Sequence, residues 1–231
     1  MESKARVGDK VVSGLMVLVW VLFIVSSAFI IPITVRGYYF LHCSILDIPG
    51  TSGISMEEIT LAFNDVMDFI WFDTPFKTGN LAWSEDGASH FVDCVPLFRL
   101  DLIVFIVTSV LLVAYAVLLK TKVLRHHRFF GFSSFGYAGA LVLTFALVVG
   151  IYGLCDFDGL FVAFHSLFFP GKGNWIFDPN TDEIINILPE SFFACCGAFI
   201  GSVAGLESIG GIAYAIVGKV RRHKKMRHQA E

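Results

Sequence analysis

Four apolar stretches, residues 13–35, 98–119, 133–155 and 192–217, constrain this chain more than anything else in it. Each has about the 20 apolar residues that an α-helix needs to cross a hydrocarbon core roughly 30 Å thick. The composition agrees, with 55% of the 231 residues hydrophobic and only 16% charged. The expectation is an all-α membrane protein, a single domain over 1–231. Its four transmembrane helices would be joined by two extracytoplasmic segments, 36–97 and 156–191, carrying short interfacial helices. The first stretch is longer than the about 7–15 apolar residues of a secretory signal and no small-residue cleavage site follows, so it reads as a retained anchor.

Charge orients the spans. Residues 1–12, 120–130 and 218–231 hold thirteen Lys and Arg against three acids, whereas 37–97 and 156–191 hold two against fifteen. Under the positive-inside rule both termini and the 120–130 loop are cytoplasmic and the acidic segments face out. The basic tail "GKVRRHKKMRHQAE" reads as a topology and lipid-surface signal rather than a nucleic-acid site, and the histidines at 126, 127, 223 and 228 are expected to be solvated within the basic runs. The five cysteines lack any C-x-x-C spacing, which excludes a zinc-finger or disulfide framework, although Cys43 and Cys94 both fall in the outer segments and are free to pair.

Any outward chemistry must come from the two acidic segments. In "GISMEEITLAFNDVMDFIWF", Ser55 and Glu58 form a capping box, and Ile59, Ala62, Phe63, Val66, Met67 and Ile70 recur at helical spacing. That face either lies on the leaflet or packs on the bundle. His90 precedes the second span in "SHFVD", and a helix there would place Asp93 on its face to orient the imidazole. His165 follows the third span in "FHSLFF", where Phe161, Phe164, Phe168 and Phe169 disfavour its charged form. For each histidine an ordinary interfacial residue is the competing reading. Arg36 and Arg99 stand on the acidic side and suit either lipid phosphates or an anion. In "FDPNTDEI", Asp182 reads as part of a capped turn and as a partner one step removed from the chemistry. Glu207, inside the fourth span, calls for a helix–helix hydrogen bond. There is no G-x-S-x-G elbow, no H-E-x-x-H and no glycine-rich phosphate loop.

Together "FNDVMDFI", "SHFVDCVPLF", "FHSLFF", "NWIFDPNTDEII" and "LPESFF" carry a resemblance over residues 60–195. The pattern resembles a family of four-span bacterial membrane proteins that includes the lipoprotein intramolecular transacylases. The resemblance implies an acyltransferase that moves the sn-2 acyl chain of a diacylglyceryl-modified lipoprotein onto the α-amino group of its N-terminal cysteine. The product is a lyso-form lipoprotein. The family's functional histidines match His90 and His165. On this reading His165 is the acid/base and His90, oriented by Asp93, its partner. Arg99, Asn64, Trp175, Phe168 and Asp182 are the candidate substrate contacts. The partners are diacylglyceryl-modified lipoproteins and membrane lipid, with no nucleic acid and neither cofactor nor metal. A metal-assisted lipid hydrolase built on His90, Asp93 and His165, or a non-enzymatic partner-binding subunit, are the alternatives.

Overall fold

In a bilayer core no water is present to satisfy backbone N–H and C=O groups, so a chain with these apolar stretches must cross as helices. The computed structural model describes residues 6–228. Residues 1–5 and 229–231, the far ends of two basic runs used above for orientation, lie outside the described residues. Among the described residues there is no strand, and the helices run α1 (Val7–Thr34), α2 (Arg36–Ile45), α3 (Ile48–Ser52), α4 (Met56–Phe72), α5 (Glu85–Lys120), α6 (Ser134–Cys155), α7 (Phe157–Phe168), α8 (Ile184–Ile187) and α9 (Glu190–His228). Four of them, α1, α5, α6 and the Glu190–Lys224 part of α9, are long and apolar enough to cross a membrane. The protein is a multi-pass membrane protein. Pro189 immediately precedes α9, its carbonyl accepting the Phe192 N–H at 2.9 Å.

The chain forms two compact units. The first comprises Met1–Ala28, Ile103–Gly150 and Ile200–Glu231. Its core is Ile24, Ala28, Ala138, Val142 and Ala204, with the Trp20 indole stacked on Phe135 at 4.1 Å between ring centroids. Glu207 meets the expected kind of partner, its carboxylate accepting from the Ser27 hydroxyl at 3.1 Å. The 121–133 connection is tied to α1, where Asp9 accepts from the Arg125 N–H at 3.1 Å and Ser13 from the His127 N–H at 3.0 Å. His126 and His127 are consequently half-buried rather than solvated, and His126 Nδ1 lies 2.9 Å from the Tyr115 hydroxyl. α6 and α9 meet through small residues, as membrane helices lacking a hydrophobic drive must. A side chain at Gly139 would come within 2.5 Å of the Ser208 carbonyl oxygen.

The second unit comprises Phe29–Leu102 and Ile151–Phe199. The Ser55–Glu58 capping box forms as read from the sequence. All six apolar residues of the α4 face, Ile59, Ala62, Phe63, Val66, Met67 and Ile70, are buried in one core with Tyr38, Tyr39, Ile184, Ile187 and Phe192. The face therefore packs on protein, and leaflet contact is not its purpose. Phe63 stacks on Tyr39 at 3.7 Å, and the Tyr39 hydroxyl donates to the Ile187 carbonyl at 2.7 Å. This core joins the larger connecting segment to the smaller one. Cys43, inside it, and Cys94 are both free thiols.

Gly139→Val is expected to overpack the α6–α9 contact and cost about 1–3 kcal/mol. A lower thermal unfolding midpoint in detergent micelles is the measurement; an unchanged midpoint would contradict the close approach.

Candidate functional site

The start of α5 is held from outside its own helix. Asp182, only 5% exposed, accepts from the Ser84 N–H at 2.8 Å and from the Ser84 hydroxyl at 2.9 Å. Ser84 Oγ in turn accepts the Gly87 N–H at 3.0 Å, capping the first turn. Glu183 adds a two-way tie, its carboxylate accepting the Ala82 N–H at 2.7 Å and its backbone N–H donating to the Ala82 carbonyl at 3.0 Å. Position 87 has to be glycine, because a Cβ there would press into the Asp182 carboxyl carbon at 2.8 Å. His90 follows one turn later on the same face. Its position relative to the 156–191 segment is therefore set by the Asp182 carboxylate.

His165 lies in α7, whose start is capped by Asp156 accepting the Gly159 N–H at 2.8 Å. The imidazole is 8% exposed and caged by rings. Phe161 is centred 4.1 Å away, and the Trp175 indole is stacked on it at 4.6 Å and 28°. Burial lowers its pKa below the ordinary 6.5, a shift only partly opposed by its bond to the Phe161 carbonyl. That bond, 2.8 Å from Nδ1 to the carbonyl oxygen, also decides the tautomer. A carbonyl oxygen only accepts, so Nδ1 carries the hydrogen and Nε2 presents its lone pair.

The two histidine rings lie side by side, 5.7 Å between centroids. Phe169 touches both, 4.8 Å from His90 and 5.8 Å from His165, and Phe177 closes on His90 at 5.6 Å. His90 is 7% exposed. Its Nε2 lies 3.5 Å from the Cys94 sulfur, and its Nδ1 is buried without a hydrogen-bond partner among the described residues. A buried polar atom of this kind costs free energy unless something arrives to satisfy it.

The helix that brings Asp93 onto the face of His90 forms as expected, but the carboxylate does not orient the imidazole. Its two oxygens take the Lys172 ammonium and, at 3.0 Å, the Asn174 amide. A formal ammonium and an amide donor outcompete a neutral ring nitrogen for a carboxylate. Two candidate substrate contacts are likewise committed elsewhere. Arg99 donates to the Ile70 carbonyl at 2.9 and 2.7 Å and to Asp73 at 2.8 Å, closing the C-terminal end of α4. Asn64 accepts from Arg36 at 2.8 Å, and Arg36 also pairs with Asp68. Asp182 is a structural staple, as described. Trp175 is at the histidines. Phe168 is half-exposed and turned to Phe164; Phe169, four residues from His165, holds the inward place. That i to i+4 spacing is a signal present in the sequence, and it relates Cys94 to His90 in the same way, whereas Lys172, Asn174 and Phe177 offer none that points to the site. Among the described residues no group of three or more His, Cys, Asp or Glu side chains is disposed to hold a metal ion.

Two measurements check this geometry. Gly87→Ala is expected to displace Asp182 and lower stability by about 1–3 kcal/mol, read as a drop in Tm. Because the unfolded chain binds a proton near pH 6.5 and folded His165 only at lower pH, stability falls as pH is lowered through that window. Thermal unfolding from neutral pH to about pH 5 should show this fall, and His165→Gln should flatten it; identical slopes would contradict the buried neutral ring.

The family model described as "Lipoprotein intramolecular transacylase Lit" matches residues 14–193. A solved structure of the membrane-integral lipoprotein intramolecular transacylase Lit from Bacillus cereus is similar, with TM-score 0.80 at 22% identity, covering 95% of this chain and 98% of that one. Two further structures of the Bacillus cereus protein, each with one histidine substituted, by arginine or by alanine, match at TM-score 0.73 and 20% identity over 94% of this chain. They are covered over 95% and 96% of their own lengths. No curated protein sequence matches the chain. At these identities the solved structures establish the shared fold, and the match over 14–193 establishes kinship: the chain belongs to the Lit family of lipoprotein intramolecular transacylases.

Proposed function

We propose that this protein is an intramolecular acyltransferase that carries the sn-2 acyl chain of a diacylglyceryl-modified lipoprotein to the α-amino group of its N-terminal cysteine, leaving a lyso-form lipoprotein. The observation that carries the reading is the caged histidine pair, 5.7 Å apart, with one ring neutral and aimed by a backbone hydrogen bond. Family membership supports the reaction class.

The chemistry divides between the rings. The cysteine amine attacks the ester carbonyl, a C–N bond forms, and the nitrogen becomes positively charged. His165 Nε2 takes a proton from it as general base. The carbonyl oxygen, now an oxyanion, takes a hydrogen bond from His90 Nδ1, a buried ring nitrogen without a partner among the described residues; this role puts the hydrogen on Nδ1 and has Nε2 accept from the Cys94 thiol 3.5 Å away. His165 then returns its proton to the glycerol oxygen as the C–O bond breaks. Products are an amide and a free hydroxyl, with atoms and charge balanced and no covalent enzyme intermediate. Separations that admit heavy-atom hydrogen bonds of about 2.7–3.2 Å allow one reacting atom to sit between the rings. Because amine and ester belong to one substrate, holding both in the cage adds a proximity contribution. The charge asymmetry puts both termini in the cytoplasm and this site at the extracytoplasmic surface of the membrane, where mature lipoproteins are anchored.

Expression in a bacterium with diacylated lipoproteins, followed by mass spectrometry of their N-terminal peptides, tests the reading. A shift to N-acyl, lyso-glyceryl peptides is expected, reduced about 10²–10⁴-fold in His165→Ala. His90→Ala is expected to lower it too. Unchanged peptides despite folded protein in the membrane would sink the proposal.

A further inference from the structure

The segment that follows α7 does two jobs at once. Through Lys172 and Asn174 it grips Asp93, which sits three residues after His90 on α5. Asn174 also donates to Ser89 Oγ at 2.8 Å, the residue just before His90. The same segment then delivers Trp175 onto His165 at 4.6 Å, nearly parallel, and the indole N–H donates back to the Lys172 carbonyl at 3.0 Å. The indole is thereby linked to the residue that makes the ion pair. An ion pair at a half-exposed surface contributes little stability by itself, with Lys172 50% and Asp93 20% exposed. What the contacts supply is placement: three side-chain bonds on one side of the loop and a flat indole on the other.

We infer that Lys172 and Asn174 are positioning residues of the histidine pair: they clasp the 170–176 loop to Asp93 and so hold the Trp175 indole against His165. The inference rests on the acyltransferase reading for its meaning in catalysis, but the clasp itself does not. Asp93 acts here through the loop, with no contact to the reacting atoms. The titratable group in ring contact with His165 is His90 from α5; the Asp93–Lys172 pair holds the loop that carries Trp175, and Asp158 and Glu190 line a groove with Phe161. Releasing the loop lets water reach the imidazole. Its burial shift then shrinks, and its pKa rises back toward the ordinary value.

The test uses the full chain purified in detergent micelles. The double variant Lys172→Met/Asn174→Ala is expected to raise the His165 titration midpoint, followed by NMR of the labelled imidazole assigned through its loss in His165→Gln. On a synthetic diacylated lipopeptide with a free α-amino group, kcat is expected to fall roughly ten- to a hundredfold with little change in KM, the size of effect that a small misplacement produces. Lys172→Arg should retain most of the activity and the original midpoint. A folded double variant with unaltered midpoint and kcat would overturn the clasp, as would Lys172→Arg behaving like Lys172→Met. Should the double variant fail to fold, Trp175→Leu is read by the same two measurements, and an unmoved midpoint there overturns it equally. A midpoint that shifts in a protein inactive on the lipopeptide would leave the clasp standing and remove the acyltransferase reading.

Discussion

A single buried carboxylate organises the second unit. Asp182 has two Ser84 hydrogen bonds and a third from the Thr181 hydroxyl at 3.3 Å, the multiple donors that a buried carboxylate requires. It holds Ser84, the residue that caps α5, from a position almost a hundred residues later. Without that cap the first turn of α5 would expose unsatisfied N–H groups, and His90, one turn further on, would have no defined height. The two Glu183–Ala82 hydrogen bonds and the Tyr39–Ile187 bond brace the same junction from either side. The two segments that carry the histidines are thus joined by polar contacts at this junction and again where Lys172 and Asn174 reach Asp93, and by a shared apolar core elsewhere.

The aromatic cage follows from that junction. Phe161, Phe169, Phe177 and Trp175 surround two imidazoles that together use only one backbone acceptor and one thiol. A site this poor in polar partners keeps its rings neutral, and neutrality is what a general base needs. Among the described residues the cage also leaves one buried ring nitrogen, His90 Nδ1, unsatisfied, a state that a substrate oxygen can relieve.

Much of the fold is legible in the chain read alone. Hydropathy locates the four spans because bilayer thickness sets their length. The Ser55–Glu58 box and the six-residue stripe mark α4 because capping and helical periodicity are local. Which surface the stripe covers is not local; only the presence of Tyr39, Ile184 and Ile187 opposite it decides for protein over lipid. The half-buried His126 and His127 show the same limit, since a basic loop looks solvated until Asp9 and Ser13 draw it in.

By itself the sequence determined the all-helical membrane class, the charge asymmetry across it, and, through its resemblance to a family, the two histidines on which attention should rest. The tertiary structure decided what their neighbours do. Asp93 shares a helix face with His90, yet its oxygens go to Lys172 and Asn174, residues about eighty positions distant. Arg99 closes a helix end rather than waiting for an anion, and Phe169 displaces Phe168 as the inward ring. Helical spacing states which residues can share a face; a carboxylate's choice among donors depends on which donors the fold brings within about 3 Å, and no local pattern encodes that.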